Sequence, residues 1–416
     1  MTPRRPVRPA RIGEFLNGVG PFVGSGLSVA GLILVAFLSL GLLTGDLPLP
    51  NGGGSDGDGA GPIRTPTPSG VIVIDPRTLV PGTMVYAKTG NIWIQSGDHV
   101  YRLTYQGQDS MPSWSPDGKW IYFIRDVPRD GQRVMDGVLR TYHLEVPTVM
   151  RIGPDSDAPP ETIVAGLYQK GSTTWSYFIR QPVLSPDQSR IVVVSDGLDA
   201  TKSDVVLQFF DPLTGALTPA GLAENRPLGH QDPAWSPDGT SILYVKNGRD
   251  GSRGAPVIMR YTVVGGTTSV LAGPGYVQPD WSPDGRFVAA TRTDGFGTDV
   301  VILDGITGIE LLRITNDGAS FAPAWSPAGD AIAFLHIDRG VGDLHMIKLA
   351  GNAPDWTLGG ILPLTDAAGL DAGSRPDWYI PPEQLPVPTP SPTPIPTDTP
   401  AATSGASSLP ARIPSP

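Results

Sequence analysis

Trp114-Ser115-Pro116-Asp117-Gly118 returns along the chain, and a repeated unit of this kind buries its apolar face only by stacking against its own copies. The five residues recur intact at Trp235 to Gly239 and at Trp281 to Gly285. Trp325-Ser326-Pro327-Ala328-Gly329 has Ala in place of Asp, and Leu184-Ser185-Pro186-Asp187-Gln188 has lost the Trp and the Gly. Arg375-Pro376-Asp377-Trp378 keeps only the approach and the Trp. The six anchors at 114, 184, 235, 281, 325 and 378 are 70, 51, 46, 44 and 53 residues apart. Spacings of that order signal a repeat architecture.

The anchor is a turn. Pro presets φ at its second position, Asp bonds back to the turn backbone, and Gly takes the left-handed position. The flanks read as strands. Trp120-Ile121-Tyr122-Phe123-Ile124, Ser241-Ile242-Leu243-Tyr244-Val245 and Ala331-Ile332-Ala333-Phe334-Leu335 are short apolar, β-branched and aromatic runs. The clearest unit begins at Pro279: strand A at Asp280-Trp281-Ser282, B from Phe287 to Arg292, C from Asp299 to Leu303, D from Leu311 to Thr315. Four strands per repeat make one propeller blade, and the recurring Trp is expected to pack between successive blades.

The ends fit the same template. Met84-Val85-Tyr86-Ala87, Asn91-Ile92-Trp93-Ile94 and Tyr101-Arg102-Leu103-Thr104 read as strands B, C and D with no strand A before them. Pro376-Asp377-Trp378-Tyr379 reads as a strand A with nothing after it. One C-terminal strand joining three N-terminal strands completes a blade and closes the ring, which removes exposed sheet edges. The expected fold class is therefore an all-β, six-bladed β-propeller over residues 80–381, preceded by one transmembrane helix.

That helix is read at 21–44. The first 14 residues carry Arg4, Arg5, Arg8 and Arg11 against Glu14, and 15–45 hold no charge. The apolar stretch is long enough to span a bilayer, and the preceding arginines put residues 1–20 in the cytoplasm and the propeller outside. The expected location is the cell membrane, crossed once. A cleaved signal peptide is the rival reading, disfavoured by the length of the run and by the lack of a small-x-small cleavage site. Residues 45–79 form a Gly/Pro-rich linker, and 382–416 a Pro/Thr/Ser-rich tail with no capacity for a core. Gly53-Gly54-Ser55-Asp56-Gly57 matches the serine-hydrolase elbow by composition alone, since no strand precedes it and no helix follows.

The Pro-x-Trp-Ser-Pro-Asp-Gly repeats, each followed by an apolar strand and then a strand C such as Val300-Val301-Ile302-Leu303-Asp304, resemble the TolB-like six-bladed propellers of bacterial envelopes, with WD-type repeats. The resemblance implies the fold and an extracytoplasmic setting. Propellers of this kind include binding scaffolds, sugar-processing lyases and the lid domains of prolyl-type peptidases, so the fold does not choose the function. The chain differs from the pattern in its membrane anchor, its Pro-rich tail and a swollen first full repeat. There, Val134 to Leu144 and Thr173 to Ile179 do not fit four strands.

Catalytic signatures are scarce. With no Cys, disulfides, thiol chemistry and Cys-ligated zinc are excluded. His99, His143, His230, His336 and His345 show no metal-ligand pairing, so no metal and no cofactor are expected, and no residue is assigned as catalytic. The net charge is −10, and with +3 on the first 14 residues the remainder carries −13, which argues against nucleic acid. The polar residues just before the strands A, namely Asp109, Arg180, His230, Asp232, Gln278 and Arg375, are expected to ring one mouth of the channel. They are either a solvated rim or a ligand site. The favoured function is a non-catalytic, membrane-anchored module binding an envelope protein, peptide or glycan. The alternative is a lyase or hydrolase working at the channel mouth.

Overall fold

The computed structural model describes residues 74–386, apart from 172, 197–204, 219–221, 223–228 and 248–254. It is a six-bladed β-propeller built from six four-stranded antiparallel sheets, with a separate two-stranded hairpin. In order A to D, blade 1 is Asp377–Tyr379, Thr83–Lys88, Asn91–Ser96 and His99–Arg102. Blade 2 is Asp109–Trp114, Ile121–Met135, Val138–Ile152 and Glu161–Ala165. The strands A of blades 3 to 6 are Ile179–Leu184, His230–Trp235, Tyr276–Trp281 and Ser320–Trp325. Blade 1 draws on both ends of the domain, with Thr83 opposite Tyr379, Met84 opposite Trp378 and Val85 opposite Asp377.

The strands B are continuous apolar runs because neighbouring blades cover both their faces. Ile191–Ser195 is buried throughout, and Ser241–Lys246 is buried except for its last residue. The core is accordingly divided into six clusters, each filling the space between two successive blades. Each cluster receives the anchor residue of the later blade: Trp114, Leu184, Trp235, Trp281, Trp325 and Trp378. The expected packing role of the Trp is what the structure shows.

The Ser-Pro-Asp turn is held by the same bonds in four blades. In blade 2, Ser115 Oγ donates to Asp117 Oδ1 at 2.7 Å, and Ser115 Oγ accepts from the Trp120 N–H at 2.9 Å. The Asp117 carboxylate also accepts from the Lys119 N–H, and Gly118, at φ 68°, donates to the Ser115 carbonyl. Blades 3, 4 and 5 repeat the Ser–Asp bond at 2.6 Å each. Where Ala328 removes the carboxylate, Asp330 supplies another from two residues on, accepting from Ser326 Oγ at 3.1 Å.

Strand A of each blade runs toward this turn, so the A–B and C–D turns share one face of the ring, and the B–C turns and D-to-A connections share the other. The swollen repeat belongs to the second face. Strands B and C of blade 2 continue as a two-stranded arm, paired from Asp126 opposite Pro147 out to Met135 opposite Val138. At 3.4 Å per residue the arm is about 30 Å long. Leu167–Lys170 pairs with Thr173–Ser176 as a further hairpin in the connection leading to blade 3. The segments that fail the four-strand template are thus additional β-structure on one face.

Candidate functional site

The channel is shaped by a bulge that recurs in strand A of blades 2 to 6. Register shifts fall between Ser110 and Ser113, Arg180 and Val183, Gln231 and Ala234, Val277 and Asp280, and Phe321 and Ala324. In every case the residue before the proline takes positive φ, from 51° at Ala322 to 54° at Met111 and Asp232. A bulge leaves a backbone group out of the ladder. Here that group is taken up across the blade boundary. The Asp232 N–H donates to Gln181 Oε1 at 2.9 Å, the Ala322 N–H to Gln278 Oε1 at 3.0 Å, and the Met111 N–H to Ser374 Oγ at 3.0 Å. Gln278 N–H donates to Asp232 in the same sense. The polar residues at this level therefore join blade 1 to 2, 3 to 4, 4 to 5 and 5 to 6.

The residues between the proline and the anchor residue form a second ring: Ser113, Val183, Ala234, Asp280, Ala324 and Asp377. Its two carboxylates also bridge blades, with the Trp325 N–H donating to Asp280 Oδ2 at 2.6 Å and the Trp114 N–H to Asp377 Oδ2 at 2.7 Å. Together the rings line a cavity of about 240 Å³ that includes Asp232, Asp280, Asp377 and Arg375. Arg375 approaches Asp280 at 3.6 Å, and 30% of the Asp280 side chain stays open to the channel.

Electrostatics in the cavity are unbalanced. Burial raises the Asp232 carboxyl, against Arg375, the Gln181 amide, the Gln278 N–H and Arg180. Burial likewise raises Asp280, against Arg375 and the N–H groups of Trp325 and Trp281. Asp377 is pushed up to about 6 by burial, reinforced by the Asp280 charge and opposed by the Trp114 and Trp378 N–H groups and by Arg375. Three acids surround one guanidinium. No set of three His, Cys, Asp or Glu residues among the described residues is arranged to hold a metal.

The six residues singled out in the sequence take four different placements. Asp232 and Arg375 line the cavity. Gln278 occupies the same ring position as Asp232, with its amide oxygen held by the Ala322 N–H and by Thr291. Arg180 lies one residue before the ring, within electrostatic range of Asp126 at the arm base and of Asp232, and burial depresses its pKa. Asp109 and His230 are buried. Asp109 is gripped by Arg125 through two bonds of 2.6 and 2.8 Å, and His230 packs on Tyr244, where burial lowers its pKa to about 4. These residues do not precede the strands A, as the turn signals suggested, except Arg375. The bulge lets strand A continue back through the x-Pro step, so five of the six lie within it.

Asp280 and Asp377 were not among the six. The signal was present, because only two of the six anchors carry an acid between the preceding proline and the anchor residue.

No family model matches the chain. Over 239 residues it is 29% identical to an uncharacterised protein of Agrobacterium fabrum, covering 56% of this chain and 67% of that protein. Over 235 residues it is 26% identical to a dipeptidyl-peptidase 5 of Porphyromonas gingivalis, covering 53% of this chain. That stretch is 30% of the peptidase's length. Among solved structures it superposes on TolB from Acinetobacter baumannii with a TM-score of 0.51 at 18% identity, over 71% of this chain and 66% of that one. A chain of a nidogen–laminin complex gives 0.50 at 11% identity, over 72% of this chain and 99% of that one. The propeller architecture and its TolB neighbours agree. Likeness at such identities carries the fold alone.

Proposed function

We propose that the chain is a membrane-anchored, extracytoplasmic propeller that binds a protein or peptide of the cell envelope at the arm-side mouth of its channel, without turning it over. One observation carries this reading: the arm and the extra hairpin both stand on the face where the strands A begin, beside Arg180 and Arg375. Added elements on a regular scaffold are where binding surfaces are usually built. The cavity residues favour binding over chemistry, since most of their polar atoms already join blades. The anchor is assigned to residues 21–44, which lie outside the described residues; no helix among the latter is long and apolar enough to cross a membrane. Pairing of Asp377–Tyr379 with Thr83–Lys88 is assigned the role of holding the ring shut.

A hydrolytic role at the same mouth draws its support from the peptidase name of the Porphyromonas gingivalis relative. Capture of envelope components on the purified chain separates the two readings. A protein or peptide recovered unchanged after prolonged incubation supports binding, and cleavage of the recovered component supports the enzyme.

A further inference from the structure

The two faces of the ring differ in what reaches them. The described chain enters on the turn face, where Pro76–Leu79 leads to Thr83 opposite Tyr379, and it leaves there through Pro382–Gln384. On the same face the C–D turns of three successive blades hold large apolar side chains in water. Leu213 is 87% exposed, Val264 85% and Ile306 80%, with Ile309 beside it at 62%. Large apolar groups held in water on the turns of three successive blades are suited to contact with a membrane or a partner. The arm face also exposes apolar residues, Phe296 and the arm-tip residues Val134, Val138 and Leu139 among them. What singles out the turn face is that the N-terminal segment joins it.

We propose that this turn face rests on the bilayer, with Leu213, Val264, Ile306 and Ile309 reaching into its interfacial zone, and that the arm and channel mouth look away from the membrane. This rests on the reading of 21–44 as a membrane anchor. A Gly-rich coil of the linker's length has a root-mean-square span of about 30 Å, so the bilayer lies within reach of the face it feeds. Charge decides which lipids suit it. Lys119 offsets Asp117 at 3.1 Å, Arg286 offsets Asp284 at 3.9 Å, and Arg190 and Arg260 act on Asp187 and Asp304, but Asp211, Asp238 and Asp330 add further carboxylates to these turns. The face suits zwitterionic headgroups and is repelled by anionic ones.

The absence of Cys allows Val264→Cys and Val138→Cys each to carry a single fluorophore on the full chain. In phosphatidylcholine vesicles containing a lipid-borne quencher, the label at 264 should lose emission and the label at 138 should keep it. Phosphatidylglycerol should weaken the loss, and Leu213→Ser with Ile306→Ser should abolish it. Quenching at 138 alone, quenching at neither position, or loss at 264 that follows protein concentration without quencher would each overturn the proposal. The last of these identifies a second copy as the occupant. A chain that fails to float with the vesicles at all removes the anchor reading, and this proposal with it.

Discussion

At the scale of single residues, the anchor turn shows how a short motif fixes geometry. The Asp117 carboxyl would rise with burial, but the Ser115 hydroxyl and the Lys119 N–H draw it down to about 2. Gln188 holds the Gly position of the decayed copy at φ 60°, where a side chain is strained. Gln188→Gly should therefore stabilise the protein by about 0.5–1 kcal/mol, read as a higher midpoint in urea. No change in midpoint would mean that local bonds already offset the strain. Asp377 gives a pH-dependent prediction. Its folded pKa of about 6 lies above the 3.8 of a free carboxyl, so the penalty for ionising it is full above pH 6 and gone below pH 3.8. Asp377→Asn keeps an oxygen for the Trp114 N–H and removes that penalty, at the cost of the bond that Oδ1 accepts from the Trp378 N–H at 2.8 Å. The variant should exceed wild type by about 1–2 kcal/mol at pH 8, with the gain shrinking as pH falls through 6. An equal offset in melts at pH 8 and pH 4.5 would count against burial as the cause. The turn roles of Asp117 and Gly118 were legible because their partners lie within five residues. The role of Asp377 was not, since its partner Trp114 lies 263 residues away.

At the scale of elements, the arm and the mouth carry the functional reading. The sequence exposed the insertion as a failure of the four-strand template, and Asp136-Gly137 between apolar pairs is a hairpin signal that could have identified the arm itself. Arg180 and Arg375 both look like accessible rim cations in the sequence, and the structure separates them. Only 20% of the Arg375 side chain is exposed, and it is the guanidinium facing Asp280, so Arg375→Ala would confound binding with stability. Arg180→Ala is the cleaner variant, because burial already disfavours its charge. It should reduce capture of the partner while leaving the melting temperature nearly unchanged. Lys119→Ala with Arg286→Ala, on the opposite face, should leave capture intact. The reverse pattern would move the binding surface to the turn face. The bulge that gives the mouth its shape was hidden in sequence, because Pro at the start of an apolar run reads as the edge of a strand.

At the scale of the whole molecule, the blade count was legible because six anchors give six units whatever their internal decay. Blade 1 depends on chain segments nearly 300 residues apart, and its last strand has only three residues. Those three residues reach far into the ring. Trp378 fills the cluster between blades 6 and 1 and donates from its indole to the Pro81 carbonyl at 2.9 Å. Asp377 caps the Trp114 N–H of blade 2, and Tyr379 packs on Trp114 with ring centroids 5.4 Å apart. A chain ending at Ser374 loses all of these contacts and exposes two sheet edges. Removal of the Trp378 side chain alone should cost about 3–5 kcal/mol. The control must retain Gln384 and Leu385, because the Gln384 side chain accepts from the Gly82 N–H and Leu385 packs against the same cluster. A chain ending at Pro386 meets that condition. The Ser374 truncation should melt many degrees below the Pro386 truncation or fail to fold, and Trp378→Ala in the longer chain should fall between them. Coincident melting of the two truncations would mean that the ring holds without its closing strand.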